Sequence, residues 1–269
     1  MNLRRSFQDL GKIWREDAAF RALGRPPGWS VLTHYRGRWH DRRGTPMTPE
    51  KVGFRFQGRR MEFELNERYL GAFKGVFIDR EYDCRAVMGP PPARILDLGG
   101  NIGFGSVFLA QLFPAATFAV VEPDPRNVPL LRRNLAGNGV RATVVDAAIG
   151  AEPGTLRLRW GLDPACSSLD GTGLHDLAGS TEVRVVDVPE VLRAASWDRV
   201  DLVKIDIEGA EEELLARNNT WLERVDAILI EIHPNTTVER LNRYVAPYGF
   251  KFARFGAGRE PVYWARKQK

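Results

Sequence analysis

Ile95-Leu96-Asp97-Leu98-Gly99-Gly100-Asn101-Ile102-Gly103-Phe104-Gly105-Ser106 decides the fold of this chain. A short apolar run ends in an acid and opens into a turn dense in glycine. Such a run reads as a strand of a parallel sheet, buried on both faces, since no polar alternation marks a solvated side. The glycines that follow permit positive φ and let backbone approach a ligand where a Cβ would collide. A helix is predicted from Phe104. The next apolar run, Thr117 to Val121, delivers Glu122 at 25 residues beyond Asp97. At that distance an acid ending the second strand of a nucleotide-binding unit reaches ribose hydroxyls.

The spacing also selects among ligands. A dinucleotide fingerprint, G-x-G-x-x-G, wants a glycine where this chain, counted from Gly103, has Phe108. Asp97 would oppose a pyrophosphate, whereas it suits the ammonium and sulfonium of S-adenosylmethionine. The loop thus favours a methyl donor over NAD, the plain alternative being a glycine-rich turn with no ligand.

A chain of 269 residues, 43% hydrophobic, suits one large α/β domain with an appendage. Residues 1–75 read as a basic N-terminal appendage of helix and β-hairpin, a lid or dimer element, and residues 76–269 as an S-adenosylmethionine-binding catalytic domain. No run reaches ~18 apolar residues, so no membrane span is expected, and the N-terminus lacks the apolar core of a signal peptide. The expected location is the cytoplasm. Cys84 and Cys166 stand far apart without CxxC partners, which points to neither a disulfide framework nor a structural zinc.

Charge is unevenly spread. Residues 1–60 hold 14 Lys/Arg against 5 Asp/Glu, and residues 61–269 hold 25 against 29. A basic segment can meet nucleic acid, acidic lipid or an anionic substrate. Here the arginines are scattered rather than striped along one helix, and arginine outnumbers lysine throughout, so a solvated or lid-forming face is favoured over nucleic acid.

Phe7, Leu10, Ile13 and Trp14 recur at near-helical spacing within Leu3 to Leu23, and Gly24-Arg25-Pro26-Pro27-Gly28 stops that helix. Its apolar face would pack on the main domain or on a second copy in a homodimer. Val52 to Phe56 and Met61 to Leu65 alternate around Gln57-Gly58-Arg59-Arg60 as a hairpin, a candidate roof for the site. Tyr82 to Met88 reads as helix, and Gly89-Pro90-Pro91-Pro92 as a stiff hinge. From Ala93 strands are predicted at 93–98, 117–121, 142–146, 200–206, 226–232, 249–254 and 261–265. Helices are predicted at 104–113, 125–137, 188–194, 209–217 and 237–245. An excursion at 150–186 carries strands at Leu156 to Trp160 and Val183 to Val186. Alternation of this kind gives a parallel sheet covered on both faces.

Ligands of such sheets lie beyond the carboxyl ends of the strands. Asp97 and Glu122 end the first two strands, Asp146 follows the third, Asp206 and Glu208 the fourth, and Glu231 and His233 the fifth. Residues two apart on an extended chain point to one side, so both later pairs can aim into the cleft. Any single acid here could instead cap a helix, Glu208 before Gly209 in particular.

The segments "ILDLGGNIGFGSVFLA", "VEPDPRNVPLLRRNL", "DAAIG", "SSL", "DLVKIDIEGAEEELL" and "ILIEIHP" resemble the FkbM-type S-adenosylmethionine-dependent methyltransferases over about residues 76–254. The most specific piece is Lys204-Ile205-Asp206-Ile207-Glu208-Gly209-Ala210-Glu211. The resemblance implies a class I α/β fold, Rossmann-like, with a seven-stranded, mostly parallel sheet in the order 3-2-1-4-5-7-6. It implies methylation of a hydroxyl, commonly on a sugar or natural product. By position Gly99, Asn101 and Gly103 would surround the methionine portion of the cofactor, Glu122 would hold the ribose, Pro123 and Asp124 would shape the adenosine rim, and Asp146 with Ala147 would border the adenine. Ser167 and Ser168 match a serine pair facing the substrate, a Ser-Ser turn being the equally fair reading.

A sugar hydroxyl is a weak acid, so a base or a metal should assist the transfer. His233 is the candidate base because its intrinsic pKa lies near neutrality. Asp206 and Glu231 compete for that role or orient the histidine. A rival mechanism gives Asp206, Glu208, Glu231 and His233 to magnesium, a hard cation suited to oxygen ligands. Methylation of nucleic acid is a second reading, but the Asn/Asp-Pro-Pro-aromatic signature is absent where "DIEG" stands. A non-catalytic binding module is the third. Trp29, Tyr35, Trp39 and Trp160 are candidates to stack on an acceptor, or else core.

Overall fold

The computed structural model describes residue 21 and residues 48–161, 167–169, 177–256 and 261–268. The expected helix Leu3 to Leu23 (apart from Arg21), together with Trp29, Tyr35, Trp39 and Cys166, lies outside the described residues, as does the side chain of Trp160.

Strands β1 (Glu50–Phe56) and β2 (Arg59–Leu65) pair antiparallel as the expected hairpin. The sequence reading did not anticipate a helical stretch after it: a short 3-10 turn (Glu67–Tyr69), α1 (Leu70–Phe73) and a π turn (Lys74–Ile78). It buries Phe73, Val76 and Phe77. Only α2 (Arg85–Met88) of the predicted 82–88 helix is helical, and Cys84 beside it is fully buried, which pushes its thiol up to about 12.

The core then alternates as β3 (Arg94–Leu98), α3 (Phe104–Leu112), β4 (Thr117–Glu122), α4 (Val128–Gly137) and β5 (Ala142–Asp146). The excursion is richer than predicted: β6 (Ala148–Ile149), β7 (Gly154–Gly161), β8 (Ser167–Leu169) and β9 (Leu177–Val186) form a four-stranded sheet in the order β6-β9-β7-β8. Next come α5 (Val188–Ala195), β10 (Leu202–Ile205), α6 (Glu211–Ala216), β11 (Ala227–Glu231), α7 (Val238–Val245), β12 (Ala253–Arg254) and β13 (Val262–Arg266).

The main sheet runs β12-β13-β11-β10-β3-β4-β5. Counted along the chain as strands one to seven, this is 3-2-1-4-5-7-6, the order expected. β13 is antiparallel to both its neighbours, while β11, β10, β3, β4 and β5 are parallel. The central strands β3, β4, β10 and β11 feed both faces. Ile95, Val120, Leu202 and Leu229 join one apolar cluster, and Leu96, Leu98, Val121, Val203 and Ile230 join the other. That two-sided burial is why the strands read as continuous apolar runs.

The hairpin belongs to the first cluster. Phe63, Phe73 and Phe77 pack edge-on with Phe104 of α3, Phe77 also with Phe108, Phe56 meets Phe108 at a tilt, and Phe54 packs edge-on with Phe73, ring centroids 4.9–6.1 Å apart. Asn134 of α4 binds both backbone groups of Glu64, accepting from N–H at 2.7 Å and donating to C=O at 3.1 Å, and also donates to the carbonyl of Ile102 at 2.8 Å. The hairpin expected as a roof is thus bolted to the α3/α4 layer.

Several ends differ from the periodicity, each for a local reason. The 125–137 helix starts at Val128 because Asp124 first closes a turn, its carboxylate accepting the Arg126 N–H at 2.8 Å. The 209–217 helix starts at Glu211 because Glu208 and Gly209 adopt φ of 52° and 102°. The predicted strand 249–254 shrinks to Ala253–Arg254. No helix among the described residues is long and apolar enough to cross a membrane.

Candidate active site

Sheet register assembles the first half of the site. Lys204 stands directly opposite Asp97 on neighbouring parallel strands, so the two side chains leave the same face together. Asp97 is sealed from solvent; its Oδ1 lies 3.1 Å from the Lys204 ammonium and its Oδ2 accepts the Ser106 hydroxyl. Lys204 also donates to the Gly99 carbonyl at 2.8 Å. Burial disfavours the Lys204 charge, but the Asp97 and Asp206 carboxylates outweigh it and raise its pKa. Asp97 was expected to answer a cationic cofactor. The cation it answers here is Lys204, and the pair ties the glycine loop to β10.

The loop is shaped by these contacts. Gly99 has φ of 84°, and a Cβ there would stand 1.7 Å from the Asp206 carbonyl oxygen. Gly103 has φ of 96° and leads into α3. Asn101, at φ 49°, donates its backbone N–H to Glu122 Oε2 at 2.8 Å. Glu122 Oε1 accepts from the Asp124 N–H at 2.9 Å and Asn127 Nδ2 at 3.2 Å. Burial pushes Glu122 up to about 7, against the pull of those three N–H donors.

The rim residues separate. Asp124 is buried and paired with Arg126, so it holds the turn rather than an open surface. Pro123 is partly exposed. Asp146 stands opposite Glu122 in register, exposed and paired with Arg132, and Ala147 is buried, its N–H on the Glu122 carbonyl. Ser167 and Ser168 form part of β8, opposite Trp160 and Arg159 of β7. A strand replaces the Ser-Ser turn of the alternative reading.

Asp206, Glu208, Glu231 and His233 are brought together. His233 Nδ1 lies 2.9 Å from Glu211 Oε1, and its Nε2 lies 3.3 Å from Glu208 Oε2 and 3.9 Å from Glu231 Oε1. Burial lowers the His233 pKa, yet hydrogen bonds to Glu208 and Glu211 outweigh it and push it up to about 11. These carboxylates favour the protonated imidazole, whereas a base near neutrality was the expectation. Glu208 does not cap α6, whose N-cap position is Ala210 with no side-chain capping bond; Glu211 accepts the Gly209 N–H just before the helix at 3.1 Å.

Two participants escaped the sequence reading. Glu211 is fully buried; it closes the most specific family segment of the sequence, but no role was assigned to it there. Tyr82, almost fully buried, donates its hydroxyl to Asp206 Oδ2 at 3.0 Å, with the Lys204 ammonium 5.4 Å from its ring centroid. Burial raises the Tyr82 pKa, and the Asp206 charge adds to it. No local motif announces that long-range contact.

This strand order, with a glycine loop after the first strand and acids at the ends of the second, fourth and fifth, defines the class I methyltransferase fold. The model of the methyltransferase FkbM domain matches residues 97–252, and the chain belongs to that family. It is 26% identical to the AMB antimetabolite synthetase AmbE of Pseudomonas aeruginosa over 63% of this chain, spanning only 10% of that protein. It is 25% identical to the 31-O-demethyl-FK506 methyltransferase FkbM of Streptomyces tacrolimicus, over 60% of this chain and 73% of the relative. It is 29% identical to the 2-O-methyltransferase NoeI of Sinorhizobium fredii, over 54% and 65% respectively.

Proposed function

We propose that the chain is an S-adenosylmethionine-dependent O-methyltransferase whose acceptor is a hydroxyl of a sugar or natural product. One observation carries this reading. At the carboxyl edge of four adjacent strands, β4, β3, β10 and β11, a positive-φ glycine loop with Glu122 lies beside a carboxylate–imidazole cluster. Such an edge is where open α/β sheets bind ligands. The names of the FkbM and NoeI relatives support oxygen as the methylated atom.

The residues fit the donor. Gly99, Asn101 and Gly103 would hold its methionine portion and Glu122 its ribose; Pro123 and Asp124 would border the adenosine, and Asp146 and Ala147 the adenine. When bound, S-adenosylmethionine supplies an electrophilic methyl on a sulfonium. The chain's task is to align the acceptor oxygen, and alignment is worth up to roughly 7–11 kcal/mol in a displacement of this kind. Ser167 and Ser168 belong to the acceptor side.

Both His233 nitrogens face carboxylates, so the imidazole serves to position rather than to accept. Glu231, at the end of β11 and 3.9 Å from Nε2, takes the hydroxyl proton, while Asp206 is held in place by Tyr82. Incubating the protein with methyl-labelled S-adenosylmethionine and a panel of hydroxylated glycans and polyketides should yield labelled methyl ethers. Glu231→Gln should cut turnover about 10²–10⁴-fold with donor affinity unchanged. Transfer to nitrogen or carbon only, or full activity in Glu231→Gln, would overturn the corresponding assignment.

A further inference from the structure

We infer that Asp206, Glu208 and His233 form a binding site for one divalent cation of the Mg²⁺/Mn²⁺ class. A ligand atom from each lies within 4.8 Å of the others. Ligands sharing one such ion stand about 3–4.3 Å apart, since each bond is about 2.0–2.2 Å long. Modest rotation of two partly exposed carboxylates closes the set.

The arrangement of the imidazole favours an ion over a proton. An imidazolium has two N–H groups, but His233 faces three carboxylates: Glu211 at 2.9 Å, Glu208 at 3.3 Å and Glu231 at 3.9 Å. Glu211 is sealed from solvent, and its second oxygen is buried without a hydrogen-bond partner. A carboxylate oxygen left without such a partner is costly once water is excluded. Lys204 is shared between Asp97 and Asp206.

Glu211 also settles which nitrogen would ligate. A buried carboxylate that takes the Nδ1–H leaves the lone pair on Nε2, facing Glu208, in the carboxylate–histidine–metal relay of ligating histidines. Two carboxylates with one imidazole suit a hard or borderline divalent ion better than a thiophilic one. Glu231 remains outside the ligand trio. On the O-methyltransferase reading, on which this role rests, an acceptor hydroxyl on the cation becomes more acidic and its proton passes to Glu231. The binding site itself does not depend on that reading.

Mn²⁺ is the probe, added to the full-length protein at pH 7.5, with free Mn²⁺ followed by electron paramagnetic resonance. One equivalent should bind saturably and Mg²⁺ should compete. Asp206→Asn and Glu208→Gln should each weaken binding at least tenfold, and Glu211→Gln about 10–100-fold, while the exposed Asp198→Asn should change nothing. Thermal melts identify any variant that has lost its fold. Absence of saturable binding up to millimolar Mn²⁺, or unchanged binding in well-folded Asp206→Asn and Glu208→Gln, would overturn the inference. A parallel titration with S-adenosylhomocysteine separates the two readings: a protein that takes it but no Mn²⁺ keeps the methyltransferase reading and loses the metal site.

Discussion

The glycine loop and the carboxylate–imidazole cluster share one sheet edge, yet they are stabilised in opposite ways. In the loop, protein answers protein. Asp97 has Lys204, Glu122 takes three N–H donors, and Gly99 makes room for the Asp206 carbonyl. In the cluster, three carboxylates converge on one imidazole, and a buried Glu211 oxygen lacks a hydrogen-bond partner. The difference teaches that the most recognisable motif is held by its own internal pairs, whereas the less familiar end gathers the carboxylates and imidazole on which the proposed chemistry rests.

The sharpest way to break this contrast is to unbalance the loop. Lys204→Met should cost about 3–5 kcal/mol in urea unfolding, because it strands the buried Asp97 charge; a loss below about 1 kcal/mol would mean that the pair does not hold the loop. Gly99→Ala should cost about 2–4 kcal/mol from the carbonyl clash and the positive φ. Glu122 tests the loop through pH. Its pKa rises from 4.5 unfolded to about 7 folded, so the folded state holds the proton more tightly. Stability should then fall by up to about 3 kcal/mol as pH rises from about 4.5 through about 7, and Glu122→Gln should flatten that slope. The smallest effect sharpens the glycine argument. Gly137, exposed at the end of α4 with no atom near its missing Cβ, should tolerate alanine and gain about 0.5–1 kcal/mol.

Much of this was legible in the sequence. The apolar runs ending in Asp97, Glu122, Asp146, Asp206 and Glu231 announced a parallel sheet with its ligand edge, because burial on both faces writes itself into a strand. The role of Gly99 was not legible, since its constraint comes from Asp206, 107 positions away. Glu211 and Tyr82 were given no role for the same reason: an acid within a predicted helix and an aromatic at the start of another acquire meaning only through long-range contacts. His233 was found, but its protonation depends on Glu208 and Glu211, which periodicity cannot rank. The π and 3-10 turns between Glu67 and Ile78 also escaped, because short irregular helices lack a full apolar period.

The central claim is that the loop side of this edge binds the methyl donor with Glu122 on its ribose. Calorimetric titration with S-adenosylhomocysteine, for the unaltered protein and Glu122→Ala side by side, tests it most directly. The account predicts saturable one-to-one binding that Glu122→Ala weakens at least tenfold while the fold survives. Failure of the unaltered protein to bind, or equal binding by both proteins, would contradict it.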